Sequence, residues 1–364
     1  MRARLVVAVV AGLLLSGCTD GSPGDEAEPL PSPEASATAP SPSQSPSPNT
    51  EPTTDPTTEP PPTEPAAPPV SVLGLDQQTH RGDRLRLGAV REDTAAYTSY
   101  DITYRSRSTT AGGEESYTIS GVLNVPKGRG PFPAVVLAHG YIDPAFYERG
   151  QGMTRERGYL ASRGYLALHV DYRNHAESDD DPRYQLRMRL GYSADVINAV
   201  KALQAATDVP VADDRIVLMG RSMGGGVILK ALVAEPGLVR AAAPWASVSS
   251  LEGENYNQFQ RNDPADTSRP DDPGRRYGLP EDNPEFWLAN SSRPYFDRIT
   301  EPVLMVHGRA DDTCPPRWAT ATRHALVRAG VDAQLEWYDD RHAFGPAFNA
   351  AMDRTIRFFA AQLA

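Results

Sequence analysis

Five short, almost unbroken apolar runs constrain this chain most: Ala134-Val135-Val136-Leu137-Ala138, Leu166-Ala167-Leu168-His169-Val170, Ile216-Val217-Leu218-Met219, Ala241-Ala242-Ala243 and Val303-Leu304-Met305-Val306. A strand covered on one face alternates apolar and polar side chains, whereas a strand covered on both faces reads as a continuous run. Helical stretches separate the runs, at about 153–163, 184–206, 223–234 and 316–329. Strand and helix in alternation predict an α/β domain with a doubly wound, mostly parallel sheet, helices on both faces and chemistry at the carboxyl ends of the strands. Before the first run, segments 85–90, 100–105 and 117–125 are rich in Val, Ile, Leu, Thr and Tyr and read as short antiparallel strands. Between 247 and 298 the alternation stops, and a polar stretch carries Tyr256, Phe259, Tyr277, Phe286, Trp287, Tyr295 and Phe296. So long a structureless loop is unusual in a compact domain, so short helices packed by these aromatics, forming a cap, are expected there.

The domain does not occupy the whole chain. Residues 1–17 start with Arg2 and Arg4, continue through an apolar run from Leu5 to Leu15 and end in small residues, the pattern of an export signal. Leu15-Ser16-Gly17-Cys18 resembles the lipobox of bacterial lipoproteins, which implies cleavage before Cys18, a lipid on its sulfur and an extracytoplasmic, membrane-anchored protein. The other cysteine is Cys314, and no disulfide is expected. Most of the 34 prolines lie before Val70, in a segment of Pro, Ser, Thr, Glu and Asp that cannot bury enough surface to offset its ordering entropy. Residues 18–70 therefore read as a tether able to extend on the order of 150 Å at about 3.1 Å per residue. The catalytic domain is assigned to 71–364. A net charge of −11 with no Lys/Arg block disfavours nucleic acid, and no obligate protein partner is implied.

Gly220-Arg221-Ser222-Met223-Gly224 follows one of the buried runs and precedes a helical stretch. In that strand-turn-helix setting the motif resembles the nucleophile elbow of the α/β-hydrolase fold, with Ser222 lifted above the sheet edge. A serine hydroxyl needs a neighbouring base, and the base needs a carboxylate to orient it. In this fold both follow the serine, which leaves His307, His324 and His342. His342 lies in a loop before the last helix and is the expected base. His324 falls inside a helical stretch. Asp311, in the loop after the run ending at Val306, is the expected acid, with its neighbour Asp312 as the alternative. The oxyanion donors are expected to be the amides of Met223, which opens a helix, and of Tyr141, after Gly140. His139 is expected to be structural, and the acidic loop 171–181 to be solvated. No metal-binding or phosphate-loop pattern is present, and neither metal nor cofactor is implied.

From about residue 133 onward the chain resembles the catalytic domain of the prolyl oligopeptidase family of serine peptidases. The resemblance rests on His139-Gly140, Gly220-Arg221-Ser222-Met223-Gly224-Gly225, the stretch from Tyr277 to Pro284, His307-Gly308-Arg309-Ala310-Asp311 with Pro315, and His342. It implies an acid at Asp311, cleavage of peptide bonds through an acyl-enzyme, and Cys314 as a pocket wall beside Met223 and Trp245. Peptide-processing members usually carry a large β-propeller before this domain, whereas here only about sixty residues of predicted strand precede it. The same triad also serves esterases of the dienelactone hydrolase and acetyl esterase kind, so an ester substrate is the alternative. A ligand-binding lipoprotein without activity is the remote one.

Overall fold

The computed structural model describes residues 70–110, 112–263 and 269–364. The expectations for the signal, Cys18 and the tether fall outside them. Among the described residues no helix is long and apolar enough to cross a membrane.

Nine strands form one sheet: β1 (Thr79–Asp93), β2 (Tyr97–Thr110), β3 (Gly113–Pro126), β4 (Phe132–Ala138), β5 (Leu166–Val170), β6 (Val211–Arg221), β7 (Ala242–Trp245), β8 (Val303–Gly308) and β9 (Ala333–Tyr338). Their spatial order is β1-β2-β3-β5-β4-β6-β7-β8-β9. The first three strands pair antiparallel, β3 joins β5 antiparallel, and from β5 to β9 every pairing is parallel. This is the α/β-hydrolase architecture the sequence predicted. The nucleophile strand β6 lies between β4 and β7, with Ala138 opposite Gly220 and Arg221 opposite Trp245.

The apolar runs are continuous because both faces of these strands are covered. In β4, Ala134, Val136 and Ala138 point into one core, and Val135 and Leu137 into the other. In β6, Ile216 and Leu218 face the first core, while Val217 and Met219 face the second. The first core is filled by α3 (Leu190–Gln204), α4 (Met223–Ala234) and α8 (Pro316–Arg328); the second by α2 (Thr154–Ala161) and α9 (Phe348–Gln362). A short α1 (Val72–Asp76), capped by Ser71, packs Val72 and Leu75 into the first core.

The antiparallel strands run well beyond their apolar centres. One face of β2 lies on α3, where the Tyr104 hydroxyl donates to the Asp195 carbonyl at 2.7 Å and Asn198 donates to the Arg107 carbonyl at 3.0 Å. The hairpin also carries charged side chains paired across its strands, Arg107 with Asp83 at 2.9 Å and Arg91 with Asp101 at 2.8 Å, which diluted the sequence signal. The stretch 184–206 is not one helix. Residues 184–189 form turns, and Met188 and Arg189 take left-handed backbone conformations (φ 52° and 53°), so α3 begins only at Leu190.

Loop 171–181 is solvated only in part: Glu177, Asp179 and Asp180 of its acid run are exposed as expected, but the rest turns inward. Asp171, Arg173, His175 and Asp181 are buried. Arg173 donates to both Asp195 carboxylate oxygens at 2.9 and 3.1 Å, and Asp171 accepts from Tyr147, Ser120 and the Gly150 amide. Burial disfavours the Arg173 cation, but Asp195 outweighs it and raises the pKa above its usual value. Segment 247–298 folds into α5 (Glu252–Phe259), α6 (Pro273–Tyr277), α7 (Pro284–Ala289) and a 3₁₀ turn at Arg293–Arg298. Tyr256 tilts against Trp287, and Phe286 stacks on Tyr277.

Candidate active site

Ser222 sits between the end of β6 and the start of α4 with φ 55° and ψ −122°, a strained backbone for a residue with a side chain. The surroundings hold it there: its amide donates to the Trp245 carbonyl at 2.9 Å, and its carbonyl accepts from Gly225 at 2.9 Å and Val248 at 3.2 Å. The flanking glycines permit the close passage. A methyl group on Gly224 would lie 1.9 Å from the Ala138 carbonyl oxygen, and one on Gly220 would lie 2.3 Å from the Gly224 carbonyl oxygen. Nothing larger than hydrogen fits at either position.

Asp311 follows β8 and is buried. Its Oδ1 accepts from the amides of Thr313 at 3.0 Å and Cys314 at 2.8 Å, which fix the carboxylate plane. His342 Nδ1 donates to the same carboxylate, 3.0 Å from Oδ2 and 3.1 Å from Oδ1. Burial pushes the Asp311 pKa up, but His342 and the two amides outweigh it, so the group is held below the usual carboxylate range. With Nδ1 committed to Asp311, a neutral His342 ring presents a lone pair on Nε2. The alternative acid, Asp312, is exposed and lies 3.9 Å from Arg341. His324 is exposed on α8, and His307 is buried, donating to the Cys314 carbonyl at 2.9 Å.

The loop carrying His342 is braced from two sides. Asp340 accepts from the amides of Arg341 and Ala347, each at 2.8 Å. Arg155, on α2, donates to the carbonyls of Ala343 at 2.8 Å and Phe344 at 3.0 Å. The next residue, Glu156, is buried and lies 3.8 Å from Arg155 and 3.6 Å from Arg221 of the elbow. The histidine loop and the serine elbow are thereby joined through one helix. The sequence reading missed this pair, since Arg-Glu on a helix is an ordinary surface pattern.

Ser222 and His342 line one pocket of about 400 Å³, together with Tyr141 and Met223. The Ser222 hydroxyl does not hydrogen bond to the imidazole; its side-chain contact is with Cys314 Sγ at 4.0 Å. Such bonds are often open in the absence of substrate. Met223 is the first residue of α4, where amides lack an intrahelical acceptor. Gly140 packs so closely that a methyl group on it would lie 3.1 Å from Ser222 Cβ, which brings the Tyr141 segment over the nucleophile. His139 is fully buried, its two ring nitrogens beside the carbonyls of Gly140 and Asp171, to one of which it donates, and burial pushes its pKa down to about 3. It is a neutral structural ring.

Trp245 is not a pocket residue. It is 0% exposed, its indole N–H donates to Thr355 at 3.1 Å, and it packs on Phe344 in the second core. The family resemblance implied a wall there, but the side chain turns to the far face of the sheet. Cys314 touches the nucleophile yet is 0% exposed, so it backs Ser222 and does not line the open pocket. Burial and the nearby Asp311 push its thiol up to about 12. The open walls come instead from Val227 and Lys230 of α4, from Val248, Glu252, Asn255 and Phe259 of segment 247–298, and from Arg189.

Residues 152–364, more than half of the chain and including Ser222, Asp311 and His342, match the model of the prolyl oligopeptidase family. The chain belongs to the prolyl oligopeptidase family. Among curated relatives, the human prolyl endopeptidase FAP is 31% identical over 193 residues, covering 50% of this chain and 23% of that protein. Esterase EstD from Thermotoga maritima is 26% identical over 224 residues, 54% of this chain and 52% of the esterase. The chain thus spans about a quarter of the endopeptidase and about half of the esterase. Among solved structures, an acetyl xylan esterase from Paenibacillus sp. R4 superposes with a TM-score of 0.57 at 22% identity, over 80% of this chain and 92% of that one. That likeness establishes the shared α/β-hydrolase fold.

Proposed function

We propose that this member of the prolyl oligopeptidase family is a serine hydrolase that cleaves peptide bonds through an acyl-enzyme. The observation that carries the reading is the Asp311–His342 pair, closed at 3.0 Å and opening on the same pocket as a serine held in a strained turn. Ser222 Oγ attacks the carbonyl carbon and His342 Nε2 takes its proton. Asp311 steadies the imidazolium that results. The amides of Met223 and Tyr141 stabilise the oxyanion. Collapse of the tetrahedral species breaks the scissile bond, and His342 returns the proton to the leaving group. Water then attacks the acyl carbon as His342 takes its proton; collapse breaks the Ser222 Oγ–acyl bond, His342 returns the proton to Ser222, and the acyl group leaves as a carboxylic acid.

An ester substrate is the second reading, supported by the similarity to Esterase EstD and by a pocket open enough for small acyl groups. The deciding experiment compares kcat/KM for nitrophenyl esters with that for proline- and alanine-linked peptide nitroanilides. A peptidase retains amide turnover within a few orders of magnitude of ester turnover. Ester turnover with no detectable amide cleavage moves the assignment to the carboxylesterase class. We further propose that Cys18 carries a lipid and that residues 18–70 tether the domain outside the cell membrane, on the sequence pattern alone.

A further inference from the structure

Arg189 is a cation in the Ser222 pocket that no carboxylate among the described residues neutralises. Its Nε donates to Gln185 Oε1 at 2.8 Å, its Nη1 lies 4.0 Å from Met223 Sδ, and its guanidinium lies 5.0 Å from the centre of the Tyr141 ring. These neighbours are neutral, and among the described residues Nη2 has no hydrogen-bond partner. The contrast with other arginines in the same stretch is plain. Arg187 pairs with Glu115 at 2.7 Å, and Arg173 with Asp195 at 2.9 Å. The other cation lining the pocket, Lys230, is 2.8 Å from Glu252, the carboxylate lining it.

The backbone that carries this guanidinium is unfavourable. Met188 and Arg189 are consecutive non-glycine residues with left-handed φ values, and they end the turns that precede α3. Strain of that kind persists only where surrounding structure enforces it, and it concentrates at functional sites.

Strand order says which part of a substrate Arg189 faces. From the central β6, the loops after β8 and β9 carry Asp311 and His342 on one side, while β4 and β5 lie on the other. The leaving group takes its proton from His342 and so departs on the β8–β9 side. With the leaving group on the His342 side and the oxyanion at the Tyr141 and Met223 amides, the acyl portion is left the remaining pocket wall, which Gln185, Met188 and Arg189 line. A planar, permanently charged fork is suited to a carboxylate, which it grips with two parallel hydrogen bonds.

We propose that Arg189 binds a carboxylate on the acyl portion of the substrate, so that the site selects acyl groups bearing a negative charge. This inference rests on the hydrolase reading above and narrows it. The test compares kcat/KM for the 4-nitrophenyl monoester of glutaric acid, with its free carboxylate, and for 4-nitrophenyl valerate, which has the same leaving group and acyl chain length. Arg189→Gln and Arg189→Lys are measured beside the unaltered protein, and fluorophosphonate labelling of Ser222 reports whether each variant retains a competent elbow. The unaltered protein favours the anionic ester, and the anionic-to-neutral ratio falls about 10- to 100-fold in Arg189→Gln, the scale of a charged hydrogen bond. Arg189→Lys keeps part of the preference, and added salt erodes it. An anionic-to-neutral ratio that is the same in the unaltered protein and in a labelling-competent Arg189→Gln overturns the proposal. Failure of the unaltered protein to hydrolyse either ester and to label at Ser222 overturns the hydrolase reading instead.

Discussion

Two adjacent carboxylates, Asp311 and Asp312, differ in everything that matters for a base. Asp311 is buried, fixed by two amides and bonded to His342; Asp312 is exposed beside Arg341. Asp311→Asn, which removes the charge and favours the wrong imidazole tautomer, is expected to lower kcat about 10⁴-fold, and Asp312→Asn less than about threefold. Steady-state kinetics on one ester distinguishes them. Cys314 offers a second check. With its thiol pushed up to about 12 and sealed from solvent, it should resist iodoacetamide at pH 8 in the folded protein and react fully once denatured, read by intact mass. The Asp311–His342 pair and the close packing at Gly224 were legible from chain order and glycine spacing. Trp245 was misplaced because a family resemblance carries over a position but not the face to which the side chain turns. The role proposed for Arg189 was invisible because it depends on a left-handed turn and on the lack of a carboxylate partner among the described residues, and neither is written in local sequence.

At the scale of single elements, the packing of α4 on β4 and β6 sets the elbow, and Gly224 is its closest point. Gly224→Ala forces a methyl group against the Ala138 carbonyl and is expected to cost about 3 kcal/mol or more, measured as a drop in the urea midpoint with unchanged slope. Helix α2 contributes differently, through contacts that leave the core intact. Arg155→Met removes two hydrogen bonds from the carbonyls of Ala343 and Phe344, loosening the His342 loop. It should lower kcat on the order of tenfold with little change in KM, since misplacing a base affects the chemical step. Elements of strong apolar periodicity were readable in advance, with α4 and α8 within a residue of expectation. The full length of β1 to β3 was not, because their charged side chains hide a strand pattern. Nor was the early break before α3, because the turn at 184–189 contains no glycine or proline to announce it after Pro182.

Over the whole molecule, five of the seven histidines lie buried: His80, His139, His169, His175 and His307. Burial lowers the pKa of each. Below about pH 6.5 the unfolded chain therefore binds protons that the folded domain refuses, and stability falls as pH drops from there toward the lowered folded values. Each histidine contributes up to about 1.4 kcal/mol per pH unit within its own window. Asp311, whose pKa is depressed, adds stability that is lost only at lower pH, so the first loss belongs to the histidines. Urea midpoints that fall steadily between pH 6.5 and 5 fit this account, and a flat profile there contradicts it. The tether proposal is tested on the same scale by fractionation: Cys18→Ala should move the protein from the membrane to the soluble fraction. The most direct measurement of the central claim is fluorophosphonate labelling of the folded protein, mapped by peptide mass. The account predicts one adduct, on Ser222, absent in Ser222→Ala and formed far more slowly in His342→Ala. A folded protein that takes no label, or labels equally fast without His342, contradicts it.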